Sequence, residues 1–208
     1  MQIKLKGNQK IRVHNAQDIY NVMREILLLE EENDRKKEHF WTISLDYGQT
    51  ILNIELVSLG TATATLVEPM EVYSIPLQKK ASKLILVHNH PSGNIVPSFQ
   101  DEELTDQLIQ VGLIMNVPIV DHLIITENSY YSFSDSGLLA KLSKSTKYVP
   151  AFILKQQYEK AGKEKGKQEG VKENQKEIIR NMREQGLTTD EIVKLTGVAK
   201  AVVSRVKK

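Results

Sequence analysis

Two histidines and an aspartate stand at a spacing that suits a metal ion: His88 and His90 with one residue between them, and Asp101 further on. The histidines close a short apolar run, Leu84-Ile85-Leu86-Val87, which ends in the turn-forming cluster Pro91-Ser92-Gly93-Asn94 and so reads as a buried strand. Side chains alternate along a strand, so His88 and His90 point to one side while Asn89 points to the other. After the turn, Pro97-Ser98 opens a helix, with Ser98 as its N-cap and Asp101 in an acidic first turn. Two imidazoles and a carboxylate, with a fourth position left to water, form the donor set of a catalytic zinc. Structural zinc takes four protein ligands, and this chain has no cysteine to supply one. Manganese, iron or cobalt accept the same donors in vitro. Each residue also has a plainer reading: a hydrogen-bonded histidine at a strand end, and Ser98 with Asp101 as a reciprocal helix cap.

The combined string is more specific than its parts. His-x-His, seven residues beginning with Pro91, then Ser98-x-x-Asp101 resembles the JAMM motif of JAB/MPN-type metal-dependent hydrolases. With His88-Asn89-His90-Pro91-Ser92-Gly93, Val120-Asp121-His122-Leu123-Ile124-Ile125 and Tyr131-Ser132-Phe133, the chain is similar to the RadC-like branch of that family, from about Ala16 to about Leu142. The resemblance implies an α/β fold over residues 1–150, a mixed β-sheet flanked by helices of the JAB/MPN (cytidine-deaminase-like) kind. It also implies zinc on His88, His90 and Asp101, Ser98 as hydrogen-bond donor to a tetrahedral oxyanion, and a peptide or isopeptide amide as the scissile bond. The residues alone justify only hydrolysis of a polarised bond. The helix-hairpin-helix module of full-length RadC proteins has no counterpart in these 208 residues, so DNA contact through that module is not expected.

In that family an upstream glutamate serves as the base, and Glu38, Glu68 and Glu71 compete for the role. Glu38 precedes the apolar run His39-Phe40-Trp41-Thr42-Ile43-Ser44-Leu45, which resembles the family's first core strand, and the base is placed there. Read locally, Glu38 is the solvated end of the charged run from Glu30 to Lys37. Glu68 and Glu71 flank Pro69 as favourable first-turn charges of a helix reaching Lys80, with Val72, Tyr73 and Leu77 inward and Pro76 as a kink. His39 faces away from Glu38 if the run is a strand. His122, inside a very apolar strand, reads as a core or supporting residue rather than a third ligand.

Around this centre the pattern calls for a weak edge strand within Ile3–Val13, and a helix from Ala16 with Ile19, Val22, Met23, Ile26 and Leu27 at helical spacing. A hairpin joins Phe40–Leu45 to Ile51–Leu59 through Asp46-Tyr47-Gly48-Gln49. The Thr-rich stretch Gly60–Val67 resembles the RadC-like segment lining the active-site side of the sheet and equally reads as a plain strand. Strands at Pro118–Thr126 and Tyr130–Phe133 complete the domain.

Hydrophobic residues make up 40% of the chain and charged residues 26%, enough for one ordinary core and a small appendage. The absence of cysteine excludes disulfides and thiolate chemistry. No apolar run approaches the roughly 18 residues of a membrane span, and the expectation is a cytoplasmic protein. From Lys155 onward, 14 Lys and Arg face 8 Asp and Glu, a net charge of +6, against −4 for the residues before it. Residues 151–172, with glycine every fourth position, read as a charged flexible or weakly helical linker. Residues 173–208 read as a basic helix-turn-helix-like all-α tail, with Thr189 capping one helix, Gly197 ending it, and Val198–Lys207 forming the next. Lys200, Ser204 and Arg205 would face a DNA phosphate backbone, or the unit would dock a protein or a second copy of the chain. In the competing reading the protein is DNA-associated through this tail and its metal is structural or inactive.

Overall fold

The computed structural model describes residues 2–3, 11–60 and 67–206. The chain divides into two compact units, Met1–Val149 and Pro150–Lys208. The first holds a six-stranded sheet in the order β1-β3-β2-β4-β5-β6. Its strands are β1 (Gln2–Ile3), β2 (His39–Leu45), β3 (Ile51–Leu59), β4 (Lys83–Asn89), β5 (Ile119–Ile125) and β6 (Tyr130–Ser132). Every pairing is antiparallel except β4 with β5, which the long helix α4 (Phe99–Met115) connects. Parallel neighbours need such a crossover, and the sheet must then be covered on both faces.

The two covers explain the sequence pattern. Helix α1 (Ala16–Leu29) lays Ile19, Tyr20, Met23, Ile26 and Leu27 on Trp41, Ile43 and Leu45 of β2, Ile85 and Val87 of β4, and Leu123 and Ile125 of β5. On the other face lie α3 (Pro69–Gln78), α4 and α5 (Leu138–Leu142), burying Phe40, Leu84, Leu86 and Ile124. The central strands are thus apolar on both faces, with Phe40, Leu84, Leu86 and Ile124 turned towards α4 and Trp41, Ile85, Val87 and Leu123 towards α1. Gly112 lies inside α4 because a Cβ there would stand 2.5 Å from the Tyr73 hydroxyl, which donates to the Leu108 carbonyl.

Some sequence expectations shift. Helix α3 ends at Gln78, and Pro76 takes the inward position expected of Leu77, which is 41% exposed. Most of the Gly60–Val67 stretch, residues 4–10 and Lys207 lie outside the described residues. A short helix, α2 (Glu32–Arg35), interrupts the charged run ahead of β2.

In the second unit, α6 (Ala151–Glu184) crosses the boundary drawn at residue 172, where a flexible or weakly helical linker was expected. Lysine, glutamate and glutamine are good helix formers, and their number offsets three glycines at about 1 kcal/mol each. Helices α7 (Thr189–Thr196) and α8 (Lys200–Arg205) follow. The α7 cap is Thr188 rather than Thr189, because Thr188 and Glu191 form the reciprocal capping box. Gly197, at φ 67°, ends α7, and Val198 and Ala199 make the turn instead of starting α8. Ile179, Ile192, Val203 and Val206 form the small core. Among the described residues no helix is long and apolar enough to cross a membrane.

Candidate metal centre

Strand β4 carries Leu84, Leu86 and His88 on one face, so the alternation that buries two leucines under α4 delivers His88 to the same layer. Its side chain is 1% exposed. His90 lies just beyond the strand, its amide donating to the Ile125 carbonyl, and the turn closes when Gly93 donates to the His90 carbonyl. Gly93 has φ 79°, a conformation that costs other residues. The turn brings the Asn94 carbonyl to 2.7 Å from His90 Nδ1; a carbonyl only accepts, so Nδ1 carries the proton and Nε2 is left as the free donor atom.

Asp101 arrives from the opposite direction, in the first turn of α4. Ser98 Oγ accepts from the Asp101 amide at 3.1 Å, and Asp101 Oδ2 accepts from the Ser98 amide at 2.6 Å. The cap and the candidate ligand are therefore the same residue: the cap fixes the carboxylate, with Oδ1 towards His88 and Oδ2 towards His90. His88 Nε2 is 3.0 Å from His90 Nε2 and 3.1 Å from Asp101 Oδ1, and His90 Nε2 is 3.5 Å from Asp101 Oδ2. Two ligands each about 2.1 Å from a tetrahedral zinc would stand roughly 3.4 Å apart, so this donor set fits such an ion. His88, His90 and Asp101 are the only group of three potential metal-ligating side chains brought together among the described residues. Burial pushes the Asp101 carboxyl up, but hydrogen bonding to His88, His90 and Ser98 outweighs it and holds the group well below the usual carboxylate range. The Asp101 carboxylate in turn raises His90, against burial.

Glu38 stands immediately before β2, whose Phe40 pairs with His88. Glu38 and His90 thus lie just beyond the neighbouring ends of the two paired strands. Asn89, on the other face of β4, anchors this strand start: its Oδ1 accepts from the His39 amide at 2.7 Å and its Nδ2 donates to the Lys37 carbonyl at 3.0 Å. Burial raises the Glu38 carboxyl, and His88, Asp101 and His90 all act on it, which places the group beside the donor cluster. Glu68 is instead the N-cap residue of α3 and Glu71 lies in its first turn. His39 turns away and stacks on Trp41 at 4.9 Å.

His122 is not among the three converging donors. Fully buried on β5, it lies with Nε2 2.8 Å from His88 Nδ1 and Nδ1 2.7 Å from Thr105 Oγ1. Burial drives its pKa well below the ordinary histidine value. Asp121, its neighbour, accepts from the His122 and Ser134 amides and the Ser132 hydroxyl, tying β5 to β6. Thr105 was not singled out from the sequence, although it lies one helical turn after Asp101 and so on the same face of α4.

The RadC-like JAB domain family profile matches residues 13–138. A UPF0758 protein of Chlorobaculum tepidum is 34% identical over 132 residues, covering 64% of this chain and 57% of that protein. A UPF0758 protein of Syntrophomonas wolfei subsp. wolfei is 37% identical over 138 residues, with coverages of 65% and 58%. One from Protochlamydia amoebophila is 42% identical over 115 residues, with 55% and 50%. The chain thus spans about half to three-fifths of the length of these relatives. The match runs over more than half of the chain and includes the strands and the helix that carry His88, His90 and Asp101, so the chain belongs to the RadC-like JAB domain family.

Proposed function

We propose that the protein is a metal-dependent hydrolase of the JAMM type that cleaves peptide or isopeptide amide bonds, with zinc as its metal. The observation that carries this reading is the convergence of His88 Nε2, His90 Nε2 and an Asp101 carboxylate oxygen, with Glu38 at the start of the adjoining strand. A zinc ion held there would supply Lewis-acid chemistry, lowering the pKa of a water in its fourth position towards about 7. Glu38 takes a proton at its carboxylate and delivers it to the departing amine, a role suited to a carboxyl that burial has raised. Ser98 already accepts the Asp101 amide at its oxygen, and its own hydroxyl hydrogen is directed to the oxyanion of the tetrahedral intermediate. His88, His90 and Asp101 stay fixed throughout.

The test is metal content by elemental mass spectrometry for the wild type, the His88→Ala/His90→Ala double variant and Glu38→Gln, followed by a peptide and isopeptide library. About one zinc per chain is expected in wild type and in Glu38→Gln, none in the double variant, and cleavage only by wild type. A wild type without stoichiometric metal would overturn the reading.

A second reading rests on the tail, where α7, a turn ending the helix at Gly197 and α8 follow in helix-turn-helix order with Lys200, Ser204 and Arg205 exposed. In it the tail binds duplex DNA, mainly through phosphate contacts. A salt-sensitive gel shift that survives the histidine substitutions and disappears on truncation after Pro150 supports it; equal binding by the truncated chain removes it.

A further inference from the structure

The buried side chains behind His88 form a hydrogen-bonded chain that ends on the helix carrying Asp101. Thr105 Oγ1 donates to the Asp101 carbonyl at 2.5 Å and lies 2.7 Å from His122 Nδ1. His122 Nε2 lies 2.8 Å from His88 Nδ1. A hydroxyl has one proton, and Thr105 gives it to a carbonyl that can only accept. Towards His122 the hydroxyl can therefore only accept, which puts the imidazole proton on Nδ1. The neutral ring then presents a lone pair at Nε2, and His88 Nδ1 must donate to it. With a proton held at Nδ1, the His88 ring keeps Nε2 on the side of Asp101 and His90, where its lone pair would go to a metal ion.

We infer that His122 and Thr105 are positioning residues that fix the tautomer and ring orientation of His88, and that the direction of their hydrogen bonds is set by the backbone carbonyl of Asp101. The inference rests on the metal-centre reading but adds a separate arrangement of protons to it. It links two ligands that come from different elements. His88 is carried by β4, Asp101 by α4, and the buried chain closes a loop between them through β5. His122 is 0% exposed and packs at 4.7 Å on Phe133 and 5.8 Å on Phe40, so the ring is held without help from solvent. His90 uses a different device for the same end, since its Nδ1 proton goes to the Asn94 carbonyl. Partners that orient a ligating histidine are typically worth about 10–100-fold in metal affinity.

The experiment has two arms, both on the full chain. In the first, long-range proton–nitrogen NMR of the metal-free wild type reads the imidazole protons: Nδ1–H is expected on both His88 and His122, and its absence from either overturns the inference. In the second, zinc affinity is measured by chelator competition for wild type, Thr105→Val, Thr105→Ser and His122→Phe. Thr105→Val removes only the hydroxyl and should weaken zinc binding about 10–100-fold, with His122→Phe alongside it, while Thr105→Ser stays close to wild type. Wild-type affinity in Thr105→Val, or equal loss in Thr105→Ser, overturns the inference even if His122→Phe folds poorly. Failure of the wild type to bind zinc at all would count against the metal centre, and the tautomer pattern would still decide the proton arrangement.

Discussion

The two candidate metal-binding histidines stand two residues apart and are held in opposite ways. His88 is placed by the core: it continues the Leu84 and Leu86 series, is 1% exposed, and takes its partner from another strand. His90 is placed by a local turn: it is 16% exposed and takes its partner from Asn94, four residues along. One position is thus guaranteed by long-range packing and the other by short-range backbone geometry. Both present Nε2 to the same point, 3.0 Å apart, so the convergence of the two donors rests on two independent kinds of constraint.

Metal binding and stability should therefore separate. His88→Ala and His90→Ala should each abolish stoichiometric zinc uptake. Urea unfolding of the metal-free proteins should differ. His88→Ala opens a hole in a packed layer and leaves His122 Nε2 without its partner, a loss of about 3 kcal/mol. His90→Ala truncates a partly exposed side chain and should lose less than about 1 kcal/mol. Equal losses would break the comparison, because they would mean that the turn and the core constrain their histidines alike.

The same division governs what could be read from the sequence. Features set within a few residues were legible: the alternation that points His88 and His90 one way and Asn89 the other, the Ser98 cap with Asp101 in its first turn, and the Pro91–Asn94 turn. The family resemblance, not any local pattern, selected Glu38, and the β2–β4 register that pairs Phe40 with His88 joins residues far apart in the sequence. The His122 contact was out of reach, since it joins residues 34 apart across a parallel strand pair. Thr105 lacked only a reason to look, because a threonine in an amphipathic helix ordinarily packs or back-bonds. In the tail, glycine spacing suggested flexibility where the charged residues sustain a helix.

A smaller effect sharpens the local side of the comparison. Gly93 sits at φ 79° with open space around it, so an added Cβ meets no clash and the cost of Gly93→Ala is purely conformational, roughly 1–2 kcal/mol. If the turn is what orients His90, the variant should also bind zinc up to about tenfold more weakly, as expected for a disturbed ligand partner. The tautomer of His88 should be untouched. A change in the His88 NMR signals as large as that in His90 would show that the two constraints are coupled.

The smallest expected effect concerns Glu38, which stands just ahead of β2 and feels the charges of His88, Asp101 and His90. Burial raises its carboxyl, so the folded protein holds this proton more tightly than the unfolded chain does. The resulting stability is present at low pH and is lost as pH climbs through the raised folded value. Glu38→Gln removes the titration. In the metal-free protein the variant should therefore gain on wild type as pH rises from about 4 to about 7, and the gain should shrink again on acidification. Urea unfolding across that range measures it. A wild type that gains on the variant with rising pH would mean that the carboxylate is stabilised in its charged form, as a solvated or ion-paired end of the preceding charged run would be. The assignment of Glu38 as base would then have to be given up.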